Sequence, residues 1–456
     1  MTDILLNRHN ITNSMEKDRI IEILDEWNFW SKTQDTGIPR EEYLERFEYM
    51  IKTGQVVFIT GVRRSGKSTL MKQYIRRLIE GGEDRKNFLY INFEEPKFID
   101  DLSLKFLNEV FEAYLEIVQP VSTPNLFLDE VQHVNGWERF VRALHEKASA
   151  NIFVSGSSAS LLSRELGTAL TGRHVDIRVY PLTFREFLEF NDLKFKTRLE
   201  MLSNKTRIKQ MLREYLASGG FPRVTLSQEK EEILGRYFED IILRDVAERY
   251  SIKKVDKLRS LAKFYLTNIA SPSSFRKVAN FIGLSLDSVE RFSSYLRDAY
   301  MLFFINKFSY SLKEQEINPR KVYSIDTGLR NLVGFKFSED LGKLYENAVF
   351  LEFQKNNEEV YYYVNRYECD LIIKKGRVIT SAFQVCYYIT EENKERELEG
   401  LLDALNDFDL DEGTIITEDM ETSEKHGKKI VNFVPLWKWL LERKPLPHNP
   451  HDQAFQ

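Results

Sequence analysis

The chain has 456 residues, 42% of them hydrophobic and 30% charged, with a formal net charge of -5. That length exceeds what one hydrophobic core supports and the composition excludes a largely disordered protein, so two or three folded domains are expected. The slightly acidic balance leaves any contact with nucleic acid to local basic faces, and two cysteines, Cys369 and Cys386, are too few for a disulfide framework.

The N-terminus MTDILLNRHN lacks the basic stretch and apolar core of an export signal. No run reaches the roughly 18 apolar residues of a transmembrane helix, so a cytoplasmic protein is expected. Residues 1–50 carry polar, helix-compatible stretches with Trp27 and Trp30, and GIPREEYLERF reads as a helix introduced by proline; together they predict an N-terminal helical extension. From Gln55 strands and helices alternate: QVVFIT, SGKSTLMKQYIRRLIEGG, NFLYINF, NLFLDE, GWERFVRALHEKA and NIFVSGS. Such alternation predicts an α/β fold with a parallel sheet covered on both faces over 51–226, closing near ASGGFPRV where glycine and proline interrupt the helical pattern. Residues 227–320 read as nearly all helical, ending in the strand-like run YMLFFINKFSY. Within them SSFRKVANFIG and LSLDSVERFSSYLRDA are separated by little more than Gly283, which is helix-turn-helix spacing with a following strand and predicts a winged helix. From Lys321 strands return in KVYSID, VYYYVN, CDLIIKK, AFQVCYYI and GTIITED, so a third, mixed α/β domain is expected over 321–443. The polar, proline-containing tail 444–456 is expected to be mobile.

TGVRRSGKSTL, Thr60 to Leu70, carries the chemistry most plainly. Gly61 and Gly66 bracket four residues before Lys67 and Ser68, between an apolar strand and an amphipathic helix, which is the context of a phosphate-binding loop. Glycines let backbone N–H groups turn around phosphate oxygens and the new helix points its positive end at the same charge. Gly61, Arg63, Arg64, Ser65, Gly66, Lys67, Ser68 and Thr69 are therefore assigned to nucleotide, with ATP and Mg²⁺ as the expected cofactors. Lys67 would reach the β- and γ-phosphates and Ser68 would offer its hydroxyl to Mg²⁺. NLFLDE ends an apolar strand in Asp129, expected to hold the metal, and Glu130, expected to polarise the attacking water. Ser157, after the next strand, is placed to orient water or γ-phosphate, although glycine-serine clusters also make plain turns. Arg173, following Thr171-Gly172, is a candidate for neutralising transition-state charge, against its reading as an ordinary surface arginine.

At these residues the chain resembles the AAA-superfamily ATPases of bacteria and archaea whose C-terminal half resembles a restriction-endonuclease-like domain. The resemblance runs in order through VVFITGVRRSGKSTLMKQ, NLFLDEVQHVNGWE, VSGSSASLLSRELGTALTGR, YPLTFREFL, SGGFP, VYSIDTGLRN, LYENAVFLEF and ECDLII. It implies that Ser157 acts as a polar sensor and Arg173 as an arginine finger supplied in trans within a homo-oligomer, by family expectation a ring such as a hexamer. It also implies that Gly220-Phe221-Pro222 contacts nucleotide through Pro222, and that the paired arginines Arg63-Arg64 belong to the family's loop, where they could counter phosphate charge or grip a neighbouring subunit.

A restriction-type nuclease needs an acid on a helix, an acid on a strand, and an acid-x-lysine on the next strand, so that carboxylates hold Mg²⁺ and lysine stabilises the hydrolytic water. Glu346 and Asp370 fit the first two places. Gln384 stands where the second strand acid belongs and Cys386 where lysine belongs. Cysteine supplies neither charge nor a hard ligand, so a cleavage-dead binding domain is expected, with Glu346, Asp370 and Gln384 as its remnant. Lys374 and Lys375 fall on the turn after the Asp370 strand, and Glu368 has the reading of a solvated face. The basic run RDVAERYSIKKVDKLRSLAKFY offers Lys253, Lys254, Lys257 and Arg259 to structured or branched DNA, although such runs also form solvated helix faces. The competing reading is a nucleotide-dependent switch or scaffold acting on a protein partner, which the acid-rich stretch from Glu391 to Glu424 suits.

Overall fold

The structure is a computed structural model that describes residues 17–157, 173–334 and 341–443. The expectations for residues 1–16, for the stretch 158–172 and for the tail 444–456 lie outside the described residues. Among those described, 17–61, 66–157 and 173–179 form one compact unit, and 62–65, 180–334 and 341–443 form another.

In the first unit the apolar runs become strands β1 (Val56–Thr60), β2 (Phe88–Asn92), β3 (Asn125–Asp129) and β4 (Asn151–Gly156), joined by β5 (His174–Arg178). They form the expected parallel sheet, in the order β2-β3-β4-β1-β5. Every residue of β1 and β3 is buried because both faces are covered, and the polar ones, Thr60, Asn125 and Asp129, stand at the strand ends. On one face Phe58, Leu126, Leu128 and Val154 pack with Val110 of α3 (Leu104–Ala113) and Trp137 and Val141 of α4 (Trp137–Glu146). Residues of opposite parity, Val57, Ile59, Phe127 and Phe153, meet Phe47 of α1 (Glu41–Ile51) and Leu70 and Tyr74 of α2 (Lys67–Glu80) on the other. The extension before α1 covers the exposed edge of β2: Asn28 donates to the Tyr90 carbonyl at 2.9 Å and accepts from its N–H at 2.7 Å.

The second unit contains α5 (Lys230–Asp240), running into a π-helical stretch Ile241–Glu248, then α6 (Val255–Thr267), β6 (Pro272–Ser273), α7 (Phe275–Ile282), α8 (Leu286–Asp298), β7 (Leu302–Ile305) and β8 (Arg320–Ser324). Gly283, at φ 70°, closes α7 in the left-handed conformation, so the next helix can start after one turn. KVYSID, expected to open the C-terminal domain, instead forms β8 in the middle of an antiparallel sheet ordered β6-β8-β7. The preceding strand β7 pairs with it across residues 306–319, and sequential strands pair most readily.

Beyond α9 (Leu341–Lys355) a six-stranded mixed sheet follows, ordered β13-β14-β12-β11-β10-β9. It comprises β9 (Glu359–Val364), β10 (Glu368–Lys375), β11 (Val378–Val385), β12 (Glu412–Thr417), β13 (Thr422–His426) and β14 (Lys429–Pro435), with α10 (Glu391–Asp407) between β11 and β12. Leu401, Ala404 and Leu405 of α10 pack on Ile372, Ile415 and Phe433 of the sheet. Cys369 and Cys386 are both buried and free. Among the described residues no helix is long and apolar enough to cross a membrane.

Candidate nucleotide site

β1 delivers the loop at the carboxyl edge of the parallel sheet, where the chain leaves toward a non-adjacent strand and ligand crevices form. Gly61, at φ 139°, passes so close to the end of β5 that an added Cβ would lie 2.1 Å from the Val179 carbonyl oxygen. Gly66, at φ 100°, then starts α2 with no side-chain cap, which leaves first-turn N–H groups for an anion. Lys67 is 4% exposed; its ammonium donates to the Gly61 carbonyl at 3.1 Å and lies 3.7 Å from Glu130.

Asp129 ends β3 fully inside the protein. Its carboxylate accepts hydrogen bonds from the Tyr90 hydroxyl at 2.5 Å and from the Ser155 hydroxyl, and Ser68 bonds to it as well. Burial raises its pKa above the usual carboxylate range and the charge of Glu130 adds to that, while the three hydroxyls offset part of the effect. Glu130 adopts φ 54°, a left-handed conformation costing about 1–2 kcal/mol for a non-glycine residue. Its N–H donates to Ser155 at 3.0 Å and its carboxylate accepts from the Gln132 amide at 2.5 Å. Lys72 lies over the rings of Trp27 and Tyr90, 4.7 and 5.0 Å from their centroids; burial lowers its pKa and Asp129 opposes the shift.

The structure thus brings together Gly61, Gly66, Lys67, Ser68, Asp129 and Glu130. Ser157 is fully buried immediately past β4, the strand between β1 and β3. Thr69 is exposed on α2. Arg173 stands elsewhere. Its carbonyl accepts from the Val56 N–H at the amino end of β1, and its guanidinium is 3.2 Å from Glu146. With Val56 paired to His174 in parallel register, Arg173 is separated from the loop by the strand's length, about 16 Å at ~3.3 Å per residue. Tyr90, Ser155, Lys72 and Gln132 escaped the sequence reading; a tyrosine and a serine inside otherwise apolar strands were the available signal.

Loop residues 62–65 group with the second unit, where both arginines find acids. Arg63 Nε lies 3.2 Å from each oxygen of Asp245 on the π-helical stretch. Arg64 is 3.6 Å from Asp240 and lies over the Tyr237 ring, which meets Phe221, the residue before Pro222, edge-on at 5.3 Å. Of the basic run, Lys253 and Lys254 are exposed, whereas Lys257 donates to the Ile282 carbonyl at 2.6 Å. Arg259 binds both oxygens of Glu239 at 3.0 Å and also Asp256.

A second charged centre lies in the same unit. Glu346 of α9 and Asp370 of β10 both meet the ammonium of Lys321, from β8. Glu368, expected as a solvated face, joins them at 2.7 Å. Burial first, then the charge of Asp370, pushes Glu346 up to about 8, with Lys321 and the Tyr323 hydroxyl opposing. Gln384 accepts from the Asp370 N–H at 3.1 Å and donates to Glu397 at 2.7 Å.

A parallel sheet whose first strand enters a Gly-Lys-Ser loop and whose third ends in Asp-Glu defines a P-loop ATPase domain of the mixed α/β class. A family model described as "AAA domain" matches residues 53–188, and one described as a domain of unknown function matches 209–339. An uncharacterized protein of Methanocaldococcus jannaschii is 36% identical over 413 residues, 86% of this chain and 90% of that protein. An uncharacterized protein of Haemophilus influenzae is 31% identical over 373 residues, 79% of this chain and 89% of that one. The chain belongs to the family of these two proteins. A solved structure of AMPPCP-bound DnaA from Aquifex aeolicus aligns at a TM-score of 0.24 and 17% identity, over 57% of this chain and 87% of that one.

Proposed function

We propose that the protein is a cytoplasmic Mg²⁺-dependent ATP hydrolase of the AAA superfamily that couples hydrolysis to binding or remodelling of structured or branched DNA. Its carrying observation is the convergence of Lys67, Ser68, Asp129 and Glu130 beside a glycine-framed loop. The donor set fits the cofactors: a hydroxyl and a carboxylate are hard oxygen ligands suited to Mg²⁺, and loop amides with a buried ammonium suit a triphosphate. Mg²⁺, when bound, neutralises developing charge on the phosphates. Lys67 adds its own positive charge at the loop, the Tyr90 and Ser155 hydroxyls fix the Asp129 carboxylate, and Glu130, steadied by Gln132, takes the proton of the attacking water. Ser157 orients that water, and Arg173 of a second copy completes the site.

The order strand, helix, helix, strand from β6 to β7, with β8 joining the same sheet after a short helix Leu312–Ile317, supports a winged-helix module, and Glu346 of α9 near Asp370 and Gln384 of the C-terminal sheet supports a nuclease-like domain that no longer cuts. Lys67→Ala should abolish ATP binding, measured by titration calorimetry, and Glu130→Gln should bind ATP without turning it over. Wild-type affinity in the first variant or rapid hydrolysis in the second would remove the assignment.

For the DNA arm, labelled duplex, single-stranded and four-way DNA are titrated at two salt concentrations with a non-hydrolysable ATP analogue. On duplex the logarithm of affinity should fall by about 0.9 per neutralised phosphate, per decade of salt. A Lys253/Lys254/Lys257→Glu variant should bind more weakly. No binding at low salt and an ATPase rate indifferent to DNA would favour the protein-partner switch, a reading aided by the internal partners already held by Lys257 and Arg259.

A further inference from the structure

A restriction-type centre needs carboxylates open to a hydrated divalent cation, with a lysine set beside the metal position rather than on it. Beside the C-terminal sheet three carboxylates converge. Glu346 projects from α9 and Asp370 from β10, and Glu368, two residues earlier, shares the Asp370 face of the strand. Their meeting point is filled. Lys321 is 1% exposed, and its ammonium lies 3.0 Å from Glu346, 3.0 Å from Asp370 and 2.7 Å from Glu368.

The surrounding groups are committed as well. Tyr323, on the Lys321 face of β8, donates to the Glu346 oxygen at 2.6 Å. The second oxygen of Asp370 accepts from the Val385 N–H at 3.0 Å. Gln384 spends its carbonyl on the Asp370 N–H and its amide on Glu397. Among the described residues no group of three or more His, Cys, Asp or Glu side chains is arranged to hold a metal. The residues present therefore do not fit the metal that a nuclease of this type would carry.

We propose that the Lys321 ammonium is the resident cation of this centre, an internal counter-ion standing where a cutting relative would bind a divalent metal. A lysine on β8 then binds the acids of the six-stranded sheet, and the centre serves as a metal-independent brace between that sheet and the three-stranded one. This deepens the reading of the domain as cleavage-dead: Gln384 replaces an acid ligand, Cys386 replaces the lysine, and Lys321 occupies the metal position itself. It rests on the nuclease-like reading for what the metal would be, and on side-chain geometry for what replaces it.

The test is Mn²⁺ binding to the nucleotide-free full chain, followed through the electron paramagnetic resonance signal of the free ion. Wild type, Asp370→Asn, Lys321→Met and Lys321→Met/Asp370→Asn are compared, so any Mn²⁺ held near Ser68 and Asp129 is common to all. Wild type and Asp370→Asn should bind alike; Lys321→Met should gain a site that the double variant loses. An Asp370-dependent site in wild type overturns the proposal, as does a folded Lys321→Met that gains none. If Lys321→Met does not fold, melting of wild type and Asp370→Asn with and without Mn²⁺ decides. Equal shifts sustain the proposal, and a shift present only in wild type overturns it. Failure of the ATPase reading would show separately, as loss of the Lys67-dependent ATP binding measured on the same wild-type preparation.

Discussion

Glu346 and Asp326 are carboxyls that folding takes out of water, and both respond in the same direction. Burial raises Asp326 to about 6, against the hydrogen bonds it accepts from the Gly220 and Leu329 N–H groups, and Glu346 reaches about 8. A carboxyl whose folded pKa is raised favours the folded state in its protonated form, so its contribution is complete below the unfolded pKa and is lost as pH climbs to the folded one. For Glu346 that window runs from its ordinary value of 4.5 to about 8, and above about 6 Asp326 has finished titrating. Glu346→Gln keeps an acceptor for Lys321 and Tyr323 without the ionisation. It should flatten the decline in stability between those upper limits, read from urea midpoints at several pH values; an unchanged slope would show that the titration lies elsewhere. At this scale the nucleotide residues were legible because Lys67 and Ser68 share one short motif and Asp129 and Glu130 another. Lys321 was not, because its partners lie 25 and 49 residues away and a lysine opening a strand carries no mark of what it will face.

The buried strands β1 to β4 could be read from the chain because each is an apolar run bounded by turn residues, and their alternation with helices implies parallel pairing. β5 could not: it is a half-exposed edge strand whose sequence, HVDIR, mixes charge with apolar residues. Nor could the π-helical stretch Ile241–Glu248, since its bonding leaves no sequence period distinct from the helix it continues. That stretch presents Asp245 to Arg63, with side-chain exposures of 1% and 11%. The odd paired arginines of the loop thus have acids waiting on a helix 182 residues away in the case of Arg63. Removing one member of such a buried pair leaves an uncompensated charge, so Asp245→Ala should cost about 3–5 kcal/mol. Arg63→Met combined with Asp245→Ala should cost less than the sum of the single changes. Denaturation midpoints of the four proteins measure this, and strict additivity would mean that the pair contributes no coupling.

For the whole molecule the decisive geometry is the polarity of the first unit's sheet. Lys67 and Asp129 stand at the carboxyl ends of its strands, whereas Arg173 stands at the amino end of β5, held by the Val56 N–H. An arginine there cannot serve the nucleotide bound to its own loop; a finger role requires a second copy of the chain. Among the described residues the guanidinium pairs with Glu146, and with Arg173 and Glu146 54% and 51% exposed a surface pair of that kind is worth about 0–1 kcal/mol. A phosphate from a neighbouring site could displace Glu146 at small cost. Arg173→Ala should therefore keep ATP affinity and lose turnover by about 10³ to 10⁵-fold, the usual effect of removing such a finger. Glu130→Gln should be equally slow for a different reason, because it lacks the base. Mixing the two inactive proteins should restore part of the ATPase rate, since some interfaces would then join an intact Glu130 on one chain to an intact Arg173 on the other. The wild-type rate per chain should also rise with protein concentration as copies associate. Mixtures as inactive as their components, with a wild-type rate independent of concentration, would leave Arg173 an ordinary surface residue.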